Sequence, residues 1–194
     1  EQAAALSSKP VRVIPSRSVQ AGLAAMGRYI PTNSPEQNEE DMLDALGSVV
    51  AGGGDYDGDG VADVAYAAPC APVRSRLGVG RIWIRSGSTG AILRRARGAQ
   101  EKMYFGASLA FLGDLNGDGK DEVAVGAPGF DGGLNAPAAE PLVDAGQLRI
   151  YSRKNRLVYR KIVGDFAKGE FAASVAGMTD LDGDGVSDLL VGAP

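Results

Sequence analysis

A stretch of 24 residues occurs three times in this chain without a gap, and this repetition restricts the folds open to it. The copies are LGSVVAGGGDYDGDGVADVAYAAP (46–69), FGASLAFLGDLNGDGKDEVAVGAP (105–128) and FAASVAGMTDLDGDGVSDLLVGAP (171–194). The first aspartate of the acidic segment recurs after 59 and then after 66 residues. Units of this length bury their apolar face by stacking side by side, so the pattern predicts a repeat protein.

Each unit is predicted to contain four antiparallel strands. Apolar segments precede and follow the acidic segment, as at 108–112 and 122–126 of the second copy. Two further segments alternate basic with apolar residues, at 79–85 and 91–94 in the first unit and at 146–154 and 156–163 in the second. A continuous apolar run suits a strand buried on both faces, and alternation suits a strand with one face in solvent. We expect an all-β chain of four-stranded blades that forms part of a β-propeller.

The acidic nonapeptide in each copy has the composition of a calcium-binding hairpin loop. Side chains with oxygen occupy positions one, three, five and nine, glycines at four and six let the backbone wrap tightly, and position seven offers its carbonyl. The predicted ligands are Asp55, Asp57, Asp59, Val61 and Asp63; Asp114, Asn116, Asp118, Lys120 and Glu122; and Asp180, Asp182, Asp184, Val186 and Asp188. With a water or a bidentate carboxylate, each set gives the six or seven oxygens that Ca²⁺ prefers.

Two other kinds of calcium loop fit the nonapeptide less well. An EF-hand needs a bidentate glutamate at position twelve, where this chain has Tyr66, Val125 or Val191. A calcium-binding β-helix needs a nine-residue recurrence, which is absent. Plain polar turns would not repeat oxygen ligands at alternate positions three times. In the second copy, either Glu122, with its extra methylene, or its neighbour Asp121 completes the site.

The flanks of the loops carry a family resemblance. The Phe-Gly and Gly-Ala-Pro ends of the second copy resemble the FG-GAP repeat of integrin alpha-subunit propellers, and the repeats with their trailing strands cover roughly residues 46–194. The resemblance implies a seven-bladed propeller with calcium loops on one rim, used for adhesion or protein recognition. The first copy has Leu46 for Phe and Ala67 for Gly, and the third has Ala172 for Gly. These departures weaken the packing signature of the blades and leave the loop oxygens unchanged.

The remaining composition excludes several functions. The chain has no histidine, which rules out histidine-dependent nucleophiles and histidine-ligated zinc. Cys70 is the one cysteine, so no disulfide can form within the chain. No apolar run reaches the length of a membrane span. The net charge is −4, and three bound dications would reverse its sign.

The repeat divides the chain into an N-terminal arm with a short helix (1–45), blade one (46–104), blade two (105–170) and the first half of blade three (171–194). Seven such units exceed 194 residues, so the chain is expected to be a piece of a longer propeller or to be completed by other chains. The arm matches no repeat, and the capping box at 34–37 predicts its helix.

Two surface features are open to two interpretations. Basic residues cluster on the outer strands at 94–97 and 149–161, either to bind an anionic partner or to prevent pairing of sheet edges. The loop at 128–145 is longer than its counterpart at 70–78, and is either a binding loop or a tolerated insertion.

Together these observations predict a calcium-binding, non-catalytic recognition or adhesion module. It is expected to be extracellular, on the cell surface or periplasmic. A protein or an anionic polysaccharide is its expected partner, with no nucleic acid and no membrane span. One alternative is a structural subunit whose sheet is completed by partner chains. Another is part of a secreted carbohydrate-active enzyme, although no metal-free carboxylate pair is evident for such chemistry.

Overall fold

A computed structural model describes residues 46–132, 142–154 and 158–194, and these residues form strands and turns without a helix. The strands are β1 (Val49–Gly52), β2 (Val64–Ala68), β3 (Arg81–Arg85), β4 (Ile92–Arg97), β5 (Ser108–Phe111), β6 (Val123–Ala127), β7 (Gln147–Tyr151), β8 (Val158–Val163), β9 (Ser174–Gly177) and β10 (Leu189–Gly192). The prediction of an all-β fold is confirmed. The N-terminal arm and the middle of the long loop lie outside the described residues.

The strands form two four-stranded sheets and one two-stranded sheet. Each is an antiparallel meander, in the orders β1-β2-β3-β4, β5-β6-β7-β8 and β9-β10. The register repeats between the two larger sheets, including an irregularity after Ile84 in one and after Ile150 in the other. The four-stranded blade predicted from the repeat is therefore confirmed, and the sheets do not close into a ring. The residue limits drawn for the arm and the three blades stay predictions.

The apolar residues pack between neighbouring sheets. On β6, Val123 and Val125 face the first sheet in a core that includes Ile82 and Phe105, whereas Ala124 faces the third sheet. All five residues of β6 are buried, as its continuous apolar sequence predicts. We call the two packed interfaces junction one (first and second sheets) and junction two (second and third sheets).

Each alanine that departs from the Phe-Gly or Gly-Ala-Pro signature faces a signature glycine of the neighbouring blade. In junction one, a Cβ at Gly106 would lie 2.7 Å from the Cβ of Ala67. In junction two, a Cβ at Gly126 would lie 2.1 Å from the carbonyl oxygen of Ala172. Each junction therefore has one glycine on one blade and one alanine on the other at this contact. The two alanines fit at these positions because each lies opposite a glycine.

Arginines of the outer strands bind the two sheets of junction one to each other. The guanidinium of Arg94 lies 4.8 Å from the ring centroid of Tyr151 and donates to the carbonyl of Ser152 at 2.9 Å. Arg149 donates to the carbonyl of Arg97 at 3.4 Å, and Arg153 donates to the carbonyl of Leu93 at 2.8 Å. This role differs from both interpretations of the basic residues, which were binding of a partner and protection of sheet edges. Cation–π contacts and hydrogen bonds explain it.

Within the described residues, no helix has the length and apolar character needed to cross a membrane.

Candidate metal centre

The three acidic loops all lie at the same end of their sheets, between the first two strands of each blade. We call them loop one (55–63), loop two (114–122) and loop three (180–188). In each, the position-nine carboxylate accepts the backbone N–H of position two. The pairs are Tyr56 N to Asp63 Oδ2 (2.8 Å), Leu115 N to Glu122 Oε2 (2.8 Å) and Leu181 N to Asp188 Oδ2 (2.7 Å). One hydrogen bond thus closes all three loops in the same way.

The position-one carboxylate organises the turn of each loop. Asp55 accepts the N–H groups of Gly58 and Gly60, both at 2.7 Å. Equivalent bonds to the turn backbone recur at Asp114 and Asp180. Desolvation raises the pKa of the Asp55 carboxyl, but the backbone N–H groups outweigh it and lower the pKa below the ordinary value. This carboxylate is therefore kept ionised, as a cation ligand must be.

Loops one and three bring three carboxylates together. Ligand oxygens of Asp55, Asp57 and Asp63 lie within 4.8 Å of one another. The equivalent residues of loop three, which are Asp180, Asp182 and Asp188, form a second such group. Like charges at this separation repel, and a cation between them removes the repulsion. The predicted positions one, three and nine converge in both loops.

The position-five carboxylates of loops one and three lie outside these groups of three. Asp59 is outside the group of three carboxylates: its Oδ2 accepts from the Ser88 hydroxyl and its Oδ1 from the N–H of Val61, at 2.9 Å. In loop three, Asp184 accepts from the N–H of Val186 at 2.8 Å and likewise stays outside the group. As ligands, Asp59 and Asp184 remain predictions.

Loop two has the most buried ligand set. Both carboxylate oxygens of Asp118 and the Oδ1 of Asn116 are shielded from solvent and have no hydrogen-bond partner in the part of the chain that the structure describes. The Asn116 amide instead donates to Glu122 Oε1 at 2.5 Å and to Ser152 Oγ at 3.2 Å. Glu122 is 0% exposed. Because asparagine replaces aspartate at position three, loop two lacks the triple-carboxylate group of loops one and three but keeps an oxygen at each ligand position.

Burial raises the pKa values of two carboxyl groups at position nine, those of Glu122 and Asp63. Desolvation raises the pKa of Glu122 above its ordinary value, and the nearby Asp118 and Asp114 raise it further. Desolvation also raises the pKa of Asp63, which is 1% exposed. A bound dication opposes both shifts, because it supplies the positive charge that water no longer provides.

Position seven was predicted to contribute only its carbonyl. The side chains of Val61 and Val186 are exposed, and the Lys120 side chain lies over loop one, where a Cβ at Gly58 would come within 3.2 Å of it. None of these side chains joins the carboxylates. The carbonyl role of the three residues stays a prediction.

Asp121 does not complete the second site. Its Oδ2 accepts the N–H of Asp55 in loop one at 2.7 Å, and its own N–H donates to the Asp55 carbonyl at 2.8 Å. The alternative in which Asp121 replaces Glu122 is therefore not supported, because Asp121 turns to the neighbouring blade. Glu122 remains the closing residue of loop two.

Two contacts of loop one were not predicted from the sequence. Gly87 N–H, in the β3–β4 turn, donates to Asp63 Oδ1 at 2.9 Å. Arg94 donates to the hydroxyl of Tyr56 at 2.5 Å. A turn with Gly and Ser at the same end of the meander was visible in the sequence as GSTG (87–90), but the register that brings it to loop one was not.

The residues fit a calcium ion on chemical grounds. Loop two presents three buried oxygens that no protein hydrogen satisfies, together with carboxylates at positions one and nine. Buried polar atoms without a partner are costly, and a cation satisfies them. Oxygen-only ligand sets are typical of Ca²⁺, which accepts six to eight of them with flexible geometry.

Comparison with known proteins places this geometry in a family. Residues 46–84 and 105–151 match the FG-GAP repeat. Residues 1–53 match a second family, FakA-like, which describes the C-terminal part of a fatty acid kinase component. The overlap at 46–53 includes β1, which pairs with β2 in the first blade, and the rest of the second match lies outside the described residues.

Individual relatives are integrin alpha chains. The chain is 30% identical to integrin alpha pat-2 of Caenorhabditis briggsae over 172 residues, which are 84% of this chain and 14% of that protein. It is 28% identical to integrin alpha-8 of Gallus gallus over 144 residues, 73% of this chain and 13% of the relative. It is 33% identical to human integrin alpha-IIb over 107 residues, 53% and 10% respectively. The matches thus span about a seventh or less of each relative. The chain belongs to the integrin-alpha-like FG-GAP repeat family.

Proposed function

We propose that this chain is a calcium-stabilised segment of an FG-GAP propeller that recognises a protein partner outside the cell and catalyses no reaction. The family and its integrin alpha relatives support an adhesion or recognition role. The same relatives support an extracellular or cell-surface location. Extracellular calcium suits sites with dissociation constants of about 10⁻⁴ to 10⁻³ M. The relatives give no support for an anionic polysaccharide as the partner.

The unpartnered oxygens of loop two carry the calcium assignment. Asp118 contributes two of them and Asn116 one, beside a fully buried Glu122. Hydrogen bonds within the loop leave them unsatisfied, so a cation accounts for their orientation better than a plain polar turn does. Equivalent ions in loops one and three would be held by the carboxylate groups of those loops. The proposed ligand sets are those predicted from the sequence, with the Val61, Lys120 and Val186 carbonyls at position seven.

The opposite end of the sheets has the features of a recognition surface. Non-glycine residues with left-handed backbone conformations occur in its connections, including Lys102, Tyr104, Asp144 and Glu170. These four residues also line a cleft of about 330 Å³ together with Pro128 and Gly129. Left-handed conformations cost energy in residues with a Cβ, and they concentrate where a function needs them. Loops on a rigid scaffold commonly carry binding.

Apolar side chains are exposed at this same end. Leu77 is 63% exposed and Phe166 is 78% exposed, and Tyr104 and Val143 are also exposed. These residues come from the connections before β3 and β7 and from the linkers between blades. Four exposed apolar side chains in these connections favour a protein partner over a charged polymer.

A structural subunit is the second candidate. Leu181 in loop three and Leu190 on β10 are 68% and 62% exposed, whereas the equivalent residues of the first blade, Tyr56 in loop one and Ala65 on β2, are 0% exposed. Another blade, from this protein or a partner chain, would bury this flank. Calcium binding does not distinguish the two candidates, but a stable monomer in solution favours the recognition module.

Calcium titration of the full chain by isothermal calorimetry tests the metal assignment. We expect three Ca²⁺ per chain, weaker binding of Mg²⁺, and loss of one equivalent in Asp118→Ala. Asp165→Ala is the matched control, because Asp165 is an exposed carboxylate outside the loops, and it should retain three equivalents. Binding of no calcium by the wild-type chain would refute the assignment.

Recognition is tested separately in the presence of calcium. Purified candidate proteins are passed over the immobilised chain and over a Tyr104→Ser, Phe166→Ser double variant, with surface plasmon resonance as the readout. A protein partner that uses the proposed surface loses at least about tenfold in affinity with the variant, as expected for two exposed aromatic anchors. Equal binding to both chains would move the interface elsewhere, and turnover of a polysaccharide would contradict the non-catalytic assignment.

A further inference from the structure

Asp121 connects loop two to loop one through two hydrogen bonds to one residue. Its carboxylate accepts the Asp55 N–H at 2.7 Å, and its own N–H donates to the Asp55 carbonyl at 2.8 Å. Asp55 is the first ligand of loop one. Asp121 directly precedes Glu122, the last ligand of loop two. The backbone of each proposed site is therefore fixed in part by the other.

The two loops also pack closely on each side of this pair. A Cβ at Gly58 would lie 3.2 Å from Cγ and Cε of Lys120, and a Cβ at Gly54 would lie 2.7 Å from the Asp121 carboxylate. Two glycines of the first blade thus allow loop two to lie directly against loop one. A shift in the backbone of either loop must displace the other.

Loops two and three lack this connection. Ser187 of loop three occupies the position of Asp121, and its Oγ lies 2.9 Å from where a Cβ at Gly113 would be. In the described residues, the reciprocal bonds between Asp55 and Asp121 have no equivalent at Asp114. The serine side chain is shorter than that of aspartate and carries no charge, so it cannot form the same bridge.

From this asymmetry we propose that loops one and two bind cations with positive cooperativity through Asp121, whereas loop three is not coupled to loop two and therefore not to loop one. The proposal rests on the calcium assignment above. A cation in loop two fixes the segment from Lys120 to Glu122, and Asp121 then holds Asp55 in its ligand position. The second ion therefore meets a loop that is already ordered and loses less conformational entropy. The coupling is reciprocal, so either loop helps the other.

Amide chemical shifts can isolate loop one in the full chain. The N–H groups of Gly58 and Gly60 donate to Asp55, the first ligand of loop one, so their ¹H–¹⁵N signals report an ion in this loop. Titration with Ca²⁺ followed at these signals gives the affinity of loop one. We expect Asp118→Ala, which disables loop two, to weaken loop one about fivefold or more.

Three further variants separate coupling from simple damage. Asp182→Ala disables loop three and should leave the loop-one affinity unchanged. In an Asp121→Ala background, Asp118→Ala should have no further effect on loop one, whereas Asp121→Asn keeps a hydrogen-bond acceptor and should keep the coupling. An unchanged loop-one affinity in Asp118→Ala, or an equal loss in Asp182→Ala, would overturn the cooperativity but leave the calcium assignment intact. Absence of binding in every loop would instead refute the calcium assignment itself.

Discussion

In junctions one and two, the same two positions of the repeat face each other, but the glycine and the alanine are exchanged. Junction one has Ala67 on the earlier blade and Gly106 on the later one, and junction two has Gly126 and then Ala172. Gly106 has a φ of +93° and Ala172 a φ of +66°, so both later residues are left-handed. A single glycine, on either of the two blades, is thus compatible with the close approach at each junction.

The comparison also shows what each arrangement costs. Glycine adopts a left-handed conformation at no steric cost, so junction one places its glycine where the backbone needs it. Junction two instead uses glycine where the following chain passes closest, and Ala172 bears the backbone strain. A repeat consensus with glycine at both positions hides this difference. The following predictions test it, from the largest expected effect to the smallest.

Gly126→Ala should have the largest effect. The added Cβ would meet the Ala172 carbonyl oxygen and the Ser108 hydroxyl oxygen, both at 2.1 Å, and a backbone oxygen cannot rotate away. We expect the free energy of unfolding, measured by denaturant titration in calcium, to fall by about 3 kcal/mol or more. Gly192→Ala is the matched control at the equivalent position of the third blade, where the nearest atom is the movable Ser174 Oγ. Equal losses for both variants would contradict the role of junction two.

Gly106→Ala should lower the free energy of unfolding by about 2 to 4 kcal/mol, because strain in a left-handed conformation adds to a clash with Ala67 and Ile82 at 2.7 Å. Adding Ala67→Gly should restore at least about 0.5 kcal/mol beyond additivity, since it removes one clashing Cβ. Gly53→Ala controls for strain alone, because Gly53 has a φ of +102° and no neighbour within 4 Å. Strict additivity of the two junction variants would show that the residues do not compensate.

Arg94→Met should cost about 1.5 to 3 kcal/mol in the same titration, because a charged donor is removed from the Tyr56 hydroxyl and the Ser152 carbonyl. Arg160 holds the same register position opposite Ile150 that Arg94 holds opposite Ile84, but it is exposed. Arg160→Met should therefore change stability by less than about 0.5 kcal/mol. Similar effects of both substitutions would argue against a specific role of Arg94 in junction one.

Ala172→Gly should have the smallest effect and the opposite sign. Relief of the left-handed strain at Ala172 competes with the greater freedom of glycine in the unfolded chain, leaving a gain of up to about 1 kcal/mol. Ala67→Gly, in the interior of β2, lacks that relief and should lose about 0.5 to 1 kcal/mol. Differential scanning calorimetry would record a higher Tm for the first variant and a lower Tm for the second. A lower Tm for Ala172→Gly would mean that its backbone is not strained.

The strands and the convergence of carboxylates in loops one and three could be predicted because their signals are local. The apolar runs at β2 and β6 and the oxygen spacing at 55–63 are each contained in fewer than ten residues. Blade order followed from the repeat, and the family resemblance supplied the propeller.

Contacts between blades could not be predicted in the same way. Arg94 is 58 residues from Ser152, and Asp121 is 66 residues from Asp55, so neither pair has a local pattern. One contact between blades does have a signal in the sequence. Ala67 and Ala172 replace signature glycines, and in each case the position that faces the alanine, 106 or 126, keeps its glycine. Comparison of consecutive copies as neighbouring blades reveals this pairing.

The most direct test of the central claim is native mass spectrometry of the full chain before and after a calcium chelator. We predict a species that carries three calcium ions and loses all three on chelation, together with a fall in thermal stability as the carboxylates of the loops begin to repel each other. Because the Asp118 oxygens of loop two have no hydrogen-bond partner among the described residues, partial loading should retain calcium in loop two. A chain that carries no calcium, with the same stability in chelator, would contradict the account and leave the loops as plain turns.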